Sequence, residues 1–192
     1  MIQDFSDSPK WQNMMDVMGI PIESRAEFDK YYHTLDTKFC LGEHEDNYLP
    51  QMSAQFNLKL PDGFSMRGYF IDHFDQNAAL WPVVLKLKKT TKVGLLTDQY
   101  PGMLKQIQEK NLFPPVEWDV VIDSTQVGCR KPAPEIYKIA QEKAGVAASE
   151  IFFIDNREKN LVPARELGWQ TFLYDSKNYD PANQDLAKFL NL

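Results

Sequence analysis

The sequence predicts an α/β protein in which a doubly wound parallel sheet follows a helical region. Before residue 90, apolar residues recur at three- and four-residue intervals, as they do on one face of a helix. After residue 90, short apolar runs alternate with helical stretches, which is typical of strands joined by crossover helices. The runs are continuously apolar, so we expect the strands to be buried on both faces.

Composition limits the kind of protein that the chain can form. It has 192 residues, of which 43% are hydrophobic and 25% charged, enough for a sizeable core with a smaller domain inserted into it. The net charge of −6 argues against a nucleic-acid or anionic-membrane partner. Cys40 and Cys129 lie in no metal-binding pattern. Because no apolar run is long enough to span a membrane and no signal-peptide pattern appears, we expect a cytoplasmic protein.

The helical region begins with one strongly indicated helix. Its apolar face consists of Phe28, Tyr31, Tyr32, Leu35 and Phe39. Ser24 and Glu27 have the spacing of a capping box at its start. Two more helices are predicted at 46–56 and 76–89, and Pro82 suits the first turn of the second.

Strands and helices alternate in the second half of the chain. The predicted strands are 93–96, 118–122, 151–154 and 171–174. The predicted helices are 102–110, 134–144 and 160–167. Gly145 and Gly168 follow the last two helices directly, where glycine tolerates the left-handed conformation that ends a helix.

Polar residues gather after three of these strands, at the edge where open parallel sheets bind ligands. Thr97 and Asp98 end the first strand, Lys131 follows the second, and Asp155 and Asn156 end the third. A hydroxyl, an ammonium and a carboxylate suit a phosphoryl group with Mg²⁺. Each residue also has an ordinary structural interpretation: a helix-capping threonine, a loop lysine, or an Asx-turn.

Taken together, three stretches resemble the second, third and fourth motifs of the haloacid dehalogenase (HAD) superfamily. They are Lys92-Val93-Gly94-Leu95-Leu96-Thr97-Asp98, the run from Gly128 to Tyr137 that contains Arg130-Lys131-Pro132, and the run from Ile151 to Gly168. Residues 25–56, including Gly42-Glu43, are similar to the helical cap of the phosphatase-like branch. The resemblance covers roughly residues 11–175. It implies a core remnant at 1–15, a helical cap at 16–85 and an α/β core at 86–192.

The resemblance implies a role for each of the five polar residues. Thr97, Lys131 and Asp155 would be catalytic, and Thr97, Asp98 and Lys131 would bind the phosphoryl group of a small phosphorylated substrate. Lys131 would stabilise the nucleophile and an aspartyl-phosphate intermediate, while Asp155 and Asn156 would hold Mg²⁺. Since many relatives have aspartate where this chain has Asn156, we expect weakened Mg²⁺ binding.

The family's nucleophile, the first aspartate of an Asp-x-Asp motif after a central strand, is not found in the sequence. Met1-Ile2 is too short for that strand. Asp4-Phe5-Ser6-Asp7 has the wrong spacing and is interpreted as leading into a helix before Trp11, and Asp72-His73-Phe74-Asp75 as part of a helix. We therefore expect a missing first strand, two neighbouring ladders left open, and no activity in this chain.

Three functions remain open at this point. The leading hypothesis is a Mg²⁺-dependent phosphatase whose first motif lies upstream of Met1. The second is a catalytically dead HAD-like protein that binds a ligand or partner, and the third is a metal-independent haloacid dehalogenase. The open ladders could also be filled by a rearranged sheet or by another chain, so a homo-oligomer is an open alternative. The substrate is not determined, because the cap sets specificity in this family.

Overall fold

The first half of the chain is helical in the computed structural model, which describes Phe5 and residues 9–192. We call residues 9–87 the helical half. Its helices are α1 (Pro9–Val17), α2 (Arg25–Cys40), α3 (Leu49–Phe56), α4 (Met66–His73) and α5 (Trp81–Leu87), with 3₁₀ turns at Ile22–Ser24, Glu45–Tyr48 and Ala78–Leu80. The predicted helices in this region are confirmed, including Pro82 in the first turn of α5.

The predicted capping box at Ser24 is wrong. Ser24 ends a 3₁₀ turn and has helical backbone angles (φ −96°, ψ −8°), and its side chain makes no capping hydrogen bond. A capping serine needs an extended backbone to aim its oxygen at the first free N–H groups of the helix. Ser65 has that backbone before α4, and its Oγ accepts a hydrogen bond from Gly68 N at 3.3 Å.

Two other segments contain aspartates that were weighed as candidates for the nucleophile motif. Asp72 and His73 lie in the last turn of α4, which confirms the helical interpretation for these two residues, whereas Phe74 has an extended backbone (φ −69°, ψ 135°) and lies beyond the helix. Asp4, Ser6 and Asp7 lie outside the described residues, as do Met1 and Ile2.

Strands and helices alternate in residues 94–192, which we call the α/β half. The strands are β1 (Gly94–Thr97), β2 (Val120–Asp123), β3 (Phe152–Asp155) and β4 (Gln170–Leu173). The helices are α6 (Met103–Glu109), α7 (Ser124–Val127), α8 (Pro134–Ala144), α9 (Glu158–Glu166) and α10 (Tyr179–Phe189), with a 3₁₀ turn at Ala148–Glu150. Each predicted strand is confirmed to within two residues, and Gly145 ends α8 with a left-handed φ of 66°.

The strands form two separate parallel pairs. β1 pairs with β2 from Gly94 opposite Val120 to Thr97 opposite Asp123, and β3 pairs with β4 from Phe152 opposite Gln170 to Asp155 opposite Leu173. Within the described residues no ladder joins the two pairs. The α/β fold class is thus confirmed, and the sheet of the described residues consists of two ladders with open edges.

The expectation that the strands are buried on both faces is wrong for most of their residues. Ile122, Phe153 and Asp155 are buried, whereas Val121 is 37% and Leu173 52% exposed. Each strand also has a hydrogen-bonded neighbour on only one side within the described residues. An edge strand of this kind leaves alternate backbone groups facing outward.

The outward-facing groups of β1 and β3 can be identified from their partners. Asp119 N donates to Val93 O, so the backbone of Val93 faces β2. Because the direction of the backbone groups alternates from one residue of a strand to the next, those of Gly94 and Leu96 face away from β2. In the same way, Tyr174 N donates to Asp155 O, so the backbone of Ile154 faces away from β4. Leu96 O accepts a hydrogen bond from Lys131 Nζ at 3.0 Å, which confirms its direction.

Apolar packing joins the helical half to the α/β half. One buried cluster runs from Trp11 and Phe28 in the helical half to Met103 and Ile107 on α6. A second cluster lies between β2, α8, β3 and α9, and a third joins α5 to α10. The carboxyl ends of β1 and β3 are therefore held by packing on both sides. None of the helices in the described part of the chain is long and apolar enough to cross a bilayer.

Candidate active site

The Lys131 ammonium lies between the carboxyl ends of β1 and β3. Its Nζ donates to Asp155 Oδ2 at 2.7 Å and to Leu96 O at 3.0 Å. Both side chains are nearly buried, with 11% of Lys131 and 6% of Asp155 exposed. An ion pair that is also hydrogen-bonded to a backbone carbonyl has a fixed geometry, because each partly desolvated charge would be unfavourable without its partner.

Asp155 is oriented by its own turn and by α9. Its second oxygen, Oδ1, accepts from Arg157 N at 2.9 Å and from Asn160 Nδ2 at 3.0 Å. Asn160 is buried, and its backbone oxygen accepts from Tyr137 OH at 2.6 Å. The Asx-turn that the sequence allowed is therefore present, and it leaves Oδ2 directed at Lys131.

Asp98 holds the backbone of the lysine loop. Its Oδ1 accepts from Lys131 N at 3.1 Å, and its Oδ2 lies 3.9 Å from Arg130 Nε. Burial raises the pKa of the Asp98 carboxyl, and the charges of Lys131 and Arg130 act in the opposite direction. Asp98 thus contacts the loop backbone, whereas Asp155 contacts the ammonium.

Thr97 is the last residue of β1, next to Asp98. Its Oγ1 accepts from Gln99 Nε2 at 3.0 Å, and Gln99 N donates to the buried Ser124 Oγ at 3.3 Å. The hydroxyl is therefore part of the loop that follows β1. Thr97 directly follows Leu96, whose carbonyl Lys131 contacts.

Asn156 is placed differently from the other predicted residues. It is exposed, and its Nδ2 donates to Ser176 Oγ at 3.2 Å, on the loop that follows β4. The structure thus brings Thr97, Asp98, Lys131 and Asp155 to one edge of the two ladders and turns the Asn156 amide toward β4.

Sequence reasoning missed a polar group that joins α2 to this edge. Asp36 on α2 accepts from Arg130 Nη1 at 2.8 Å and from Tyr100 OH at 3.0 Å. The Tyr32 and Tyr100 hydroxyls are also hydrogen-bonded to each other, and burial raises the pKa of both. The sequence does contain a signal for Asp36: it is a charged residue one turn after Tyr32, which is buried on the apolar face of α2.

A second group of potential metal ligands lies away from this edge. Within the described residues, His44, Glu45 and Asp46 place ligand atoms within 4.8 Å of one another. Glu45 is fully buried, and Arg67 Nε lies 3.6 Å from its Oε1. Burial raises the pKa of the Glu45 carboxyl, and the Arg67 guanidinium acts in the opposite direction.

No nucleophile of the expected kind is found in the part of the chain that the structure describes. Across residues 9–192, no strand is followed by two aspartates separated by one residue. The Lys131 ammonium and the Thr97 hydroxyl are hydrogen-bond donors that an anion could accept from, but a covalent step needs a further carboxylate.

Comparison with protein families gives a match in the α/β half. Residues 128–189, which include Lys131 and Asp155, match the family described as HAD-hydrolase-like. The matched range begins at the lysine loop and ends with α10.

Curated proteins of two kinds are similar to parts of the chain. The bifunctional epoxide hydrolase 2 of Sus scrofa is 27% identical over 140 residues, which cover 68% of this chain and 24% of that protein. The protein of the same name from Rattus norvegicus is 41% identical over 56 residues, or 29% of this chain and 10% of that protein. The D-ribitol-5-phosphate phosphatase of Bacteroides thetaiotaomicron is 37% identical over 68 residues, or 35% of this chain and 32% of that protein. The chain thus spans about a quarter of the length of the first relative and a third of the last.

Solved structures share the fold over most of the chain. The HAD family enzyme bt-2542 from Bacteroides thetaiotaomicron superimposes with a TM-score of 0.74 at 20% identity, covering 92% of this chain and 90% of that one. That enzyme has also been crystallised in complex with magnesium and inorganic phosphate. The L-2-haloacid dehalogenase PA0810 has a TM-score of 0.65 at 17% identity, covering 93% and 82%.

Proposed function

We propose that the chain is a phosphatase-type hydrolase of the haloacid dehalogenase (HAD) superfamily that acts on small phosphorylated metabolites. The observation that carries the proposal is the Lys131 ammonium, held by Asp155 Oδ2 and Leu96 O at the end of two strands. A fixed, partly buried cation is suited to the charge of a phosphoryl group. The D-ribitol-5-phosphate phosphatase similarity supports this class of substrate.

Each residue has a role in the proposed reaction. Lys131 would neutralise oxygens of the phosphoryl group, and Thr97 Oγ1 would donate a hydrogen bond to one of them. Asp98 would keep the Lys131 backbone in place through the bond that it accepts from Lys131 N. Asp155 would hold the ammonium in one orientation.

The covalent step needs a carboxylate nucleophile at the same edge. Its oxygen would form a bond to phosphorus as the bond from phosphorus to the ester oxygen breaks, and the leaving alkoxide would take a proton from the second carboxyl group of the Asp-x-Asp motif, which would later regain one from the attacking water. Water would then attack the aspartyl-phosphate, which releases inorganic phosphate and restores the carboxylate. We propose that this carboxylate comes from a strand that pairs with the outward-facing backbone groups of β1 and β3, next to Lys131.

A Mg²⁺ ion is part of the proposal, and the residues at the end of β3 fit it in part. Asp155 offers a carboxylate whose Oδ2 has Lys131 as its hydrogen-bond partner, and Asn156 offers an amide oxygen on an exposed side chain. Oxygen ligands of this kind suit a hard cation. A single carboxylate, however, supplies less negative charge than the ligands of a Mg²⁺ ion usually do. When bound, the ion would neutralise charge on the phosphoryl oxygens.

Orthophosphate binding tests the anion site without a nucleophile. We expect the protein to bind orthophosphate in the presence of Mg²⁺, and Lys131→Met to weaken binding about tenfold or more because a charge-assisted contact is lost. Titration calorimetry measures the affinity, and Lys138→Met, at an exposed position on α8, is the matched control. Equal binding by wild type and Lys131→Met would rule out this site.

Turnover separates the phosphatase from a catalytically dead binding protein of the same fold. The chain is fused at its N-terminus to an apolar strand that ends in Asp-x-Asp, and a matched fusion ends in Asn-x-Asn. We expect Mg²⁺-dependent hydrolysis of p-nitrophenyl phosphate by the first fusion and none by the second. Phosphate binding without hydrolysis by either fusion would favour the binding protein.

A haloacid dehalogenase is the third candidate, and the likeness to the dehalogenase PA0810 supports its fold alone. Chloride release from 2-chloropropionate by the Asp-x-Asp fusion, without hydrolysis of the phosphate ester, would favour it.

A further inference from the structure

We propose that Asp36 on α2 is a positioning residue for Lys131, acting through Arg130, Tyr100 and Asp98. The importance of Lys131 in this inference rests on the proposed function. The coupling between Asp36 and Lys131 rests on contacts in the structure alone. Its starting point is that the two Asp36 carboxylate oxygens bind two different loops of the α/β half.

The first oxygen holds the loop that follows β1. Asp36 Oδ1 accepts from Tyr100 OH at 3.0 Å, and Tyr100 is 7% exposed. Tyr100 lies two residues after Asp98 and three after Thr97, so a fixed Tyr100 restrains the short loop that carries both. Packing of the Tyr100 ring against Phe39, with centroids 5.2 Å apart, strengthens this restraint.

The second oxygen holds the lysine loop. Asp36 Oδ2 accepts from Arg130 Nη1 at 2.8 Å, and Thr37 Oγ1 accepts from the same nitrogen at 3.3 Å. Arg130 directly precedes Lys131 in the chain. Fixing the guanidinium therefore restricts the backbone from which the Lys131 side chain starts.

Asp98 closes the connection between the two loops. It lies between the cations, with Oδ1 accepting from Lys131 N at 3.1 Å and Oδ2 3.9 Å from Arg130 Nε. The path from Asp36 to the Lys131 amide thus has two branches, one through Arg130 and one through Tyr100 to Asp98.

Burial gives these contacts their strength. The exposed fractions of the side chains are 30% for Asp36, 19% for Arg130 and 14% for Asp98. Charge pairs at such sites are less screened than surface pairs, and removal of one member leaves its partners short of a hydrogen bond. Loss of the Asp36 charge therefore acts on Arg130 and Tyr100 at once.

The coupling has a functional consequence for the helical half. Asp36 belongs to α2, whereas Thr97, Asp98 and Lys131 belong to the α/β half. A movement of α2 that stretches the Asp36 contacts would loosen both loops that bind the phosphoryl group in the proposed function. The position of the helical half and the order of the Lys131 site are thereby linked.

Amide exchange at Lys131 tests the coupling directly, because its N–H donates to Asp98. In residue-resolved NMR exchange on the whole chain, we expect Asp36→Asn and Arg130→Gln each to speed exchange at Lys131 about tenfold. Because Arg130 lies on one of the two branches that start at Asp36, the double variant should exceed Asp36→Asn by less than twofold. Asp36→Glu keeps the charge and should restore part of the protection.

Two controls separate positioning from a general loss of stability. Asp72→Asn removes another ion pair between the halves, that of Asp72 on α4 with Lys110, and should leave Lys131 exchange unchanged. Tyr174 N, which donates to Asp155 O, should keep its protection in every variant. Unchanged exchange at Lys131 in Asp36→Asn, or equal acceleration at Tyr174, would overturn the proposal.

Orthophosphate affinity gives a second readout that separates the inference from the proposed function. Asp36→Asn should weaken binding about three- to tenfold in the wild-type background and have a smaller further effect beside Arg130→Gln, where only the Tyr100 branch is left to lose. If wild type binds no orthophosphate while Lys131 exchange responds as stated, the positioning role holds and the proposed function fails. If orthophosphate binds and Lys131 exchange does not respond, the positioning role fails and the proposed function holds.

Discussion

Lys131 Nζ donates to Asp155 Oδ2 at 2.7 Å, and this ion pair joins the carboxyl ends of two strand pairs that share no ladder within the described residues. The same ammonium contacts Leu96 O on β1. Lys131 therefore has a structural role across the open edges in addition to the role proposed for it in anion binding.

Removal of the Lys131 charge should destabilise the fold. Lys131→Met leaves the Asp155 carboxylate, 6% exposed, without its cation, and we expect the free energy of unfolding to fall by about 2–4 kcal/mol. Urea denaturation measures the change. Lys188→Met removes an ion pair with Asp185 in which the Lys188 side chain is 75% and the Asp185 side chain 65% exposed. The free energy of unfolding should therefore fall by less than about 0.5 kcal/mol. Similar losses for the two variants would contradict a structural role of Lys131.

The pKa of Asp98 predicts a pH dependence of stability. Burial raises this pKa above its usual 3.8, so the folded protein binds the Asp98 proton more tightly than the unfolded chain does. The resulting stabilisation is fully present below the unfolded pKa and is lost as pH rises through the folded pKa. Asp98→Asn should therefore lose more stability, relative to wild type, at about pH 4 than at pH 7.

Asp119 provides a control of opposite sign for that pH series. Hydrogen bonds from Lys88 and from Val93 N lower its pKa, so its stabilisation is present above the unfolded pKa and is lost as pH falls through the folded pKa. The stability difference between wild type and Asp119→Asn should stay level from about pH 7 to pH 5 and shrink below. The same pH trend for both variants in urea denaturation would contradict the assignment to Asp98.

A buried polar triad joins the end of β4 to α10 and the segment before α5. Tyr174 OH donates to Asn183 Oδ1 at 2.7 Å and accepts from Asn77 Nδ2 at 2.7 Å, and Asn183 Nδ2 donates to Asn77 Oδ1 at 3.2 Å. Tyr174→Phe leaves both amides short of a partner, so we expect a loss of about 1–3 kcal/mol in thermal or urea unfolding.

Tyr31 is the matched control for that substitution. Its hydroxyl is buried and makes no hydrogen bond to the residues that the structure describes, so Tyr31→Phe should be neutral or slightly stabilising. A larger loss for Tyr31→Phe than for Tyr174→Phe would contradict the role of the triad.

The sequence predicted the regular elements well where local pattern determines them. β1 to β4 were located because their apolar runs are bounded by turn residues, and α8 because Pro134 starts it and Gly145 ends it. Ser24 was misassigned because it ends the 3₁₀ turn Ile22–Ser24, which gives it helical angles. Local spacing matches a capping box but carries no information on that turn.

The candidate site was predicted in part for a similar reason. Motif resemblance located Lys131 and Asp155, whose contact is confirmed by distance, while their catalytic roles stay a prediction. Asp36 was missed because it lies 94 residues from Arg130 in the chain, and only the packing of α2 on the α/β half brings the two together. A charge within an apolar helix face was the available signal, although such a residue is often a solvated edge position.

The Asn156 side chain predicts how the proposed metal site should respond to substitution. Asn156 is exposed beside Asp155, so Asn156→Asp adds a carboxylate to one that is already present. We expect the affinity for Mg²⁺, or for Mn²⁺ as a spectroscopic probe, to rise about tenfold, because hard cations prefer charged oxygen ligands. Asn13→Asp, at an exposed position on α1, changes the net charge equally and should leave the affinity unchanged. Asp155→Asn should lower it in either background. Equal gains from Asn156→Asp and Asn13→Asp would indicate a general charge effect and would contradict a metal site at the end of β3.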